Sequence, residues 1–387
     1  MINLNLKNIA PSYIREILSV ATHNDMISFA GGLPDPNSFP LELMKESFQE
    51  LSQLPEFFQY NSTRGLEGLI ESIGKRFDIK KDRSLIITNG SQQGLDLIAR
   101  AFIAPGDQVL VEAPSYLGAL QVFKLAGAQL KTIPILDNGP DLDALKNCFE
   151  RQKIKFFYVI PDYQNPTGYC YPLVLRKAIA QLCRQYGVMI IEDSPYRELG
   201  FKGEKLALIS DFFPEGSIVL HSFSKIVSPG LRIGCVESTS KIVNSLIKLK
   251  QISDLHSNIP SQFILQKLIE HRGFELHIQQ VRQNYYDKYR LLVGELEKEL
   301  ANEISFKPVQ GGMFIWLSFR DPEINTMEFA KKALTKKLAV VPGSVFYLNG
   351  SNNQNSLRLN FSHPTLANIK KGVHHFAQTV RIYSKVN

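Results

Sequence analysis

A lysine set among hydroxyls, a Pro-Gly turn and an arginine is a combination that can do chemistry. This chain places it in Ser222-Phe223-Ser224-Lys225-Ile226-Val227-Ser228-Pro229-Gly230-Leu231-Arg232-Ile233-Gly234. Ser222 and Arg232 can hold a phosphate, the arginine through a planar fork that fits phosphate oxygens bidentately. Lys225 can present an amine to a carbonyl, because burial or a neighbouring cation lowers the pKa of a lysine until it forms Schiff bases. The segment follows an apolar run, Gly216 to Leu220, that reads as a short buried strand. Taken alone it also reads as a polar loop with two solvated cations, so the company it keeps matters.

Other polar loops follow apolar runs in the same way: Asn89-Gly90-Ser91-Gln92, Pro114-Ser115-Tyr116, Asp162 to Gly168, and Asp193 to Tyr196. Ser91 and Gln92 open a helix, so their N–H groups and the helix dipole suit a phosphate, although a serine there also serves as an ordinary N-cap. Tyr116 can stack on a flat heteroaromatic ring or pack as a core aromatic. Asn165, in Asn-Pro-Thr-Gly, can be a ligand or only a turn residue. Asp193 ends an apolar strand, where an unpaired carboxylate is costly. It requires a cationic partner, and a protonated pyridine nitrogen serves. Its neighbour Glu192 points to the other face, which disfavours a paired-carboxylate hydrolase. Tyr196, three residues on, can reach a phenolate oxygen of the same ring.

The elements that position these loops are legible from apolar runs. Strands are expected at Ser84–Thr88, Gln108–Glu112, Lys155–Ile160, Val188–Ile191 and Ser217–Leu220, with helices at Gln92–Ile103, Tyr116–Leu125 and Tyr171–Tyr186. The strands are continuous apolar runs, as expected where helices cover both faces of a sheet. The fold class is therefore α/β with a mostly parallel sheet, whose ligand crevice lies at the carboxyl ends of the strands. Ile27 to Pro36, with two glycines and two prolines, reads as a rigid non-repetitive loop after an N-terminal amphipathic stretch, and Leu41 to about Leu51 as a helix. Beyond Lys241 long helices follow, broken near Ile259-Pro260. A smaller α+β unit then carries strands at Gly312–Leu317, Ala339–Val341 and Ser356–Phe361 and a closing helix near Thr365–Gln378.

At 387 residues, two or three domains are the prior. The division expected is an N-terminal segment 1–40 packing with the small domain and the active site, a large domain 41–285 and a small domain 286–387. Composition is that of a globular protein, 44% hydrophobic and 21% charged, and no apolar run approaches a membrane span or a cleaved leader. The expected location is the cytoplasm, with no membrane partner. Four scattered cysteines, Cys148, Cys170, Cys183 and Cys235, show no disulfide or C-x-x-C spacing. No metal is expected, and His271 with Glu275 reads as a surface pair. The net charge of +7 is spread along the chain, which suits steering of small anionic substrates better than nucleic acid.

A phosphate, a flat ring, its nitrogen, its phenolic oxygen and an aldehyde together describe pyridoxal phosphate. The chain closely resembles the fold-type I, class I/II aminotransferases in Tyr-Gln-Asn165-Pro-Thr-Gly, Glu-Asp193-Ser-Pro-Tyr196, Ser222-Phe-Ser-Lys225 with Pro-Gly-Leu-Arg232-Ile-Gly, and Leu-Arg358-Leu-Asn-Phe-Ser. The motifs run in the family's order over essentially the whole chain. Ile-Ser-Phe-Ala-Gly-Gly-Leu-Pro and Pro-Ser-Tyr-Leu-Gly-Ala look most like the 2-aminoadipate and kynurenine aminotransferase branch.

The resemblance implies a fold-type I transferase with pyridoxal phosphate as cofactor and Lys225 as the Schiff-base lysine and proton shuttle. Asp193 would pair with the pyridinium nitrogen, Asn165 and Tyr196 would bond the phenolic oxygen, and Tyr116 would stack on the ring. Ser91, Gln92, Ser222, Ser224 and Arg232 would surround the phosphate. Tyr60 resembles the tyrosine that reaches a partner subunit's cofactor, implying a homodimer with shared sites. Arg358 would clamp the α-carboxylate, Gly32 would lie in a loop folded over the substrate, and Arg15 would face a side-chain carboxylate. A solvated helix face is the other reading of Arg15, and Tyr13 and Leu18 equally suit apolar or aromatic side chains. The expected activity is ping-pong transfer of an amino group from an L-amino acid (2-aminoadipate, aromatic, branched or glutamate class) to a 2-oxo acid such as 2-oxoglutarate. A β-lyase or decarboxylase on the same scaffold is the alternative. A regulatory effector module is disfavoured, since the fold is expected to begin within the first residues, ahead of which no DNA-binding domain fits.

Overall fold

The computed structural model of the chain describes residues 26–348 and 355–386, together with Leu6, Tyr13 and Ile17. Strand β1 (Ile27–Ser28) precedes a helix at Leu41–Leu51 and another at Glu67–Phe77. The central sheet then takes β2 (Arg83–Thr88), β3 (Gln108–Ala113), β4 (Gln129–Leu136), β5 (Gly139–Pro140), β6 (Ile154–Val159), β7 (Met189–Asp193), β8 (Ser217–Ser222) and β9 (Gly234–Thr239). Their order in space is β2-β9-β8-β7-β6-β3-β4-β5. Strands β4, β3, β6, β7 and β8 pair in parallel, while β9 is antiparallel to both β2 and β8.

The continuous apolar runs have the reason expected of them. Side chains alternate across a strand, so Phe156, Tyr158 and Ile191 join the core on one face, while Phe157, Val159 and Ile190 join a second core on the other. Three strands of the central sheet, β4, β5 and β9, escape a reading by apolar runs. Gln129–Leu136 is largely exposed and interrupted by polar residues, and Gly234–Thr239 is buried but opens on glycine and carries Glu237. The reversal at β9 follows from its connection: the link from β8 holds only the short turn Pro229–Leu231, and a parallel strand needs a longer crossover.

The helices after the sheet break where expected, between Ser253 and Ile259. Ile259-Pro260 starts the second of them, Ile259–Glu270, with the Asn258 side chain accepting from Ser261 N and Pro260 in the first turn. The preceding helix, Ser240–Ser253, buries Lys250, whose ammonium pairs with Asp254 at 2.9 Å. His271 and Glu275 do not pair as expected: Glu275 binds Arg76 at 2.7 Å, and His271 Nδ1 accepts from Gly273 N at 2.9 Å.

Helix Phe274–Leu300 leads to the second sheet, made of β10 (Ile304–Phe306), β11 (Phe314–Phe319), β12 (Leu338–Ala339), β13 (Val341–Pro342) and β14 (Ser356–Asn360). Of these, β10-β11-β14-β13 form an antiparallel sheet, while β12 pairs in parallel with β1. Part of the span read as an N-terminal loop is thus a strand. Helix Leu366–Val386 closes the chain. The sheets meet through backbone as well as side chains. Gly168 adopts φ +74, and a Cβ there would lie 2.5 Å from the Phe314 carbonyl oxygen, so only glycine fits. No helix among the described residues is long and apolar enough to cross a membrane, and no cluster among them could hold a metal.

Candidate active site

The loops after β2, β3, β6, β7 and β8 converge with β14 on one cavity of about 380 Å³. Gly32, Ser91, Gln92, Tyr116, Asn165, Asp193, Tyr196, Ser222, Ser224, Lys225, Arg232 and Arg358 all line it. Three larger clefts, of about 620, 670 and 710 Å³, are lined by none of these residues, and ion pairs such as Arg76–Glu198 and Asp35–Lys288 wall two of them.

At one end, Gly90 turns with φ +75 into the helix Ser91–Phe102. A Cβ on Gly90 would lie 2.8 Å from Arg232 Nη2, and that nitrogen donates to Asn89 O at 3.1 Å. The helix N-terminus and a guanidinium thus share one corner, an arrangement suited to an anion. The Tyr116 hydroxyl donates to Gln92 Oε1 at 3.1 Å.

The floor is built on β7. Asp193 is 2% exposed. Its Oδ2 accepts from the Tyr158 hydroxyl at 2.8 Å, while its Oδ1 is buried with no hydrogen-bond partner in the protein. Burial pushes the carboxyl up to about 7, and the Tyr158 bond opposes the rise. Glu192 faces away, its two oxygens accepting from Ile209 N and Ser210 N.

At the other end, Asn165 Nδ2 donates to the Tyr196 hydroxyl at 3.2 Å, and its Oδ1 accepts from Arg358 Nη1 at 2.8 Å. Arg358 also donates through Nη2 to Ala30 O at 2.6 Å and stacks over the Phe314 and Phe346 rings, 4.3 and 4.9 Å from their centroids. Its Nε is buried without a partner, and burial lowers the guanidinium pKa to about 10. Lys225 Nζ donates to Gly32 O at 2.9 Å. Burial first, then the charges of Arg358 and Arg232, bring the amine down to about 8. Its neutral form is thereby accessible close to neutral pH.

A family profile described as aminotransferase class I and II matches residues 24–376. The chain belongs to the class I and II aminotransferases. It is 35% identical to the 2-aminoadipate transaminase of Thermus thermophilus over 96% of this chain and 94% of that one. It is 36% identical to aromatic-amino-acid aminotransferase 1 of Thermococcus litoralis over 96% and 91%. Among solved structures, the kynurenine aminotransferase of Pyrococcus horikoshii, crystallised with PMP, superposes with a TM-score of 0.94 at 33% identity, covering 99% of this chain and 97% of that one. The fold is that of the fold-type I aminotransferases, which use pyridoxal phosphate, and the branch is the one its motifs resemble.

One candidate residue of this aminotransferase lies elsewhere, and another falls outside the described residues. Tyr60 is 77% exposed, its ring edge-on to His256 at 5.8 Å, outside the cavity. Arg15 lies outside the described residues, as does Leu18. Sequence reasoning missed Tyr158, Leu33, Leu117 and Gln121, which border the cavity or its floor. Tyr158 had a signal, an aromatic hydroxyl in the middle of an apolar strand, where a buried polar tip requires a partner. The other three carry none.

Proposed function

We propose that the cavity is where this aminotransferase exchanges an amino group between an L-amino acid and a 2-oxo acid such as 2-oxoglutarate, one site serving both halves in turn. The observation that carries the assignment is the set of groups facing one space: Asp193 Oδ1 and Arg358 Nε, each buried without a hydrogen-bond partner, and the buried Lys225 amine, bonded only to Gly32 O. Pyridoxal phosphate fits them, an orphaned carboxylate oxygen suiting a ring N–H and the Gly90–Arg232 corner suiting a phosphate. When bound, the cofactor supplies an electron sink that acidifies the substrate α-proton.

In this reading Lys225 would hold the cofactor aldehyde through its amine and would carry the α-proton. Asp193 would keep a positive charge on the ring nitrogen. Asn165 and Tyr196 would bond the phenolic oxygen, and Tyr116 would cover the ring. Ser91, Gln92, Ser222, Ser224 and Arg232 would bind the phosphate. Arg358, already oriented by Asn165 and Ala30, forks onto the substrate α-carboxylate beside Gly32. A 2-aminoadipate, aromatic, branched or glutamate side chain belongs to this proposal, as does a contact between Arg15 and a side-chain carboxylate.

A homodimer with shared sites is also proposed. Its support is the exposure of Tyr60 next to Phe58, itself 65% exposed. The division at residues 40 and 285 is supported at its first boundary by the pairing of β1 with β12, whereas one helix, Phe274–Leu300, runs through the second. Four free cysteines support a reducing compartment such as the cytoplasm.

The test is a single-turnover assay of cofactor-loaded protein with 2-aminoadipate, glutamate, leucine, phenylalanine and kynurenine, following absorbance and product mass. The expected product is the 2-oxo acid, with nitrogen retained on the protein, and Lys225→Ala slows the reaction by about 10⁴-fold or more. Release of ammonia or carbon dioxide, or full turnover by Lys225→Ala, overturns the reading.

A further inference from the structure

The loop Phe29–Asp35 touches the reaction site through its backbone. Ala30 O accepts from Arg358 Nη2 at 2.6 Å and Gly32 O accepts from Lys225 Nζ at 2.9 Å. One short loop therefore holds both the carboxylate-binding fork and the free amine. At its first end it is fixed by the small sheet: Phe29 N donates to Ala339 O at 2.9 Å, and Asn360 N donates to Phe29 O at 2.7 Å.

The other end is fixed by side chains. Ser362 Oγ donates to Leu33 O at 2.8 Å, and Asp35 N donates to the Tyr285 hydroxyl at 3.2 Å. Asp35 Oδ2 accepts from Lys288 Nζ at 2.6 Å and from Asn284 Nδ2 at 2.9 Å. The same ammonium donates to Ser362 O at 2.8 Å. Lys288 thus ties the loop and the segment after β14 to helix Phe274–Leu300, and it does so with Asp35 and Lys288 only 5% and 4% exposed. Two well-packed apolar side chains often stabilise a fold as well as a buried ion pair does. What the ion pair adds is direction, since its hydrogen bonds fix where the loop ends.

We infer that Asp35 and Lys288 are positioning residues for transamination, a strap that sets the Ala30 and Gly32 carbonyls over the site and through them orients Arg358 and the free Lys225 amine. The inference rests on the roles of Arg358 and Lys225 proposed above. The strap touches neither cofactor nor substrate, so its removal acts on substrate binding before it acts on cofactor binding.

The experiment compares Asp35→Asn and the double variant Asp35→Asn/Lys288→Met, which leaves no buried charge alone, with wild-type holoenzyme. In the double variant KM for the amino acid rises about tenfold, kcat changes by less than about threefold and cofactor affinity is unchanged. Amide exchange across residues 29–35 quickens about tenfold while that of the central sheet does not. A folded double variant with wild-type KM and wild-type exchange in this segment overturns the strap. If instead wild type yields no 2-oxo acid from any amino acid, the functional reading fails while the exchange result still decides the strap.

Discussion

Glu192 and Asp193 are neighbours on β7, each buried, and burial pushes both carboxyls up to about 7. They differ in what faces them. Glu192 has a backbone N–H for each oxygen, whereas Asp193 has Tyr158 on one oxygen and nothing on the other. The face holding Glu192 satisfies both carboxylate oxygens, and the face holding Asp193 satisfies one and leaves the other to the proposed ligand. Burial and a displaced pKa do not separate a structural carboxylate from a working one, whereas an unfilled hydrogen-bond position does.

The comparison breaks most visibly in paired substitutions. Asp193→Asn is expected to lower kcat/KM by about 10²–10³-fold, through loss of the charge proposed to face the ring nitrogen, while thermal stability holds. Glu192→Gln is expected to keep activity within about threefold and to lose about 1–3 kcal/mol of stability, since its amide sets N–H against N–H. Urea denaturation beside the half-reaction reads both, and equal activity losses at the two positions would dissolve the distinction. Arg358→Lys keeps charge but not the fork, and kcat/KM is expected to fall about 10²-fold, mostly through KM.

Tyr158→Phe sharpens the contrast by making both Asp193 oxygens unpaired. Cofactor affinity is expected to weaken about tenfold, read by fluorescence titration, with the loss greatest below pH 7, because the Tyr158 bond is what opposes protonation of Asp193. The smallest effect is on stability against pH. Glu112 accepts from Tyr171 and Gln164, and burial raises its carboxyl from 4.5 to about 8. A carboxyl whose folded value lies above its unfolded one contributes fully below the unfolded value and loses that contribution as pH rises through the folded one. Stability should therefore decline from about pH 5 to about pH 8, and Glu112→Gln should flatten the decline in melting temperature.

Much of this was legible beforehand, for physical reasons. Strands buried on both faces are written as apolar runs, so β2, β3, β6, β7 and β8 stood out, and the polar residues at their ends marked the cavity from Ser91 to Arg232. Where an element is exposed on one side, as Gln129–Leu136 is, the run is broken and the strand is lost to such a reading. Asp35 and Lys288 were invisible for another reason: they lie far apart in the chain, and neither sits at a strand end. Only the packing of helix Phe274–Leu300 against the loop brings them to 2.6 Å. Tyr60 is of a third kind, an exposed aromatic whose proposed role needs another chain.

The abutment of Gly168 on the Phe314 carbonyl also governs how the gene can be divided. The loop from Asn165 to Gly168 is moulded against β11, a strand contributed more than a hundred residues later. Two polypeptides cut after Ala301, where the long helix ends, would each carry half of that mould. Neither should retain the cofactor alone, and mixing them should restore both retention and turnover, so that the enzyme in two pieces becomes a reporter of its own reassembly.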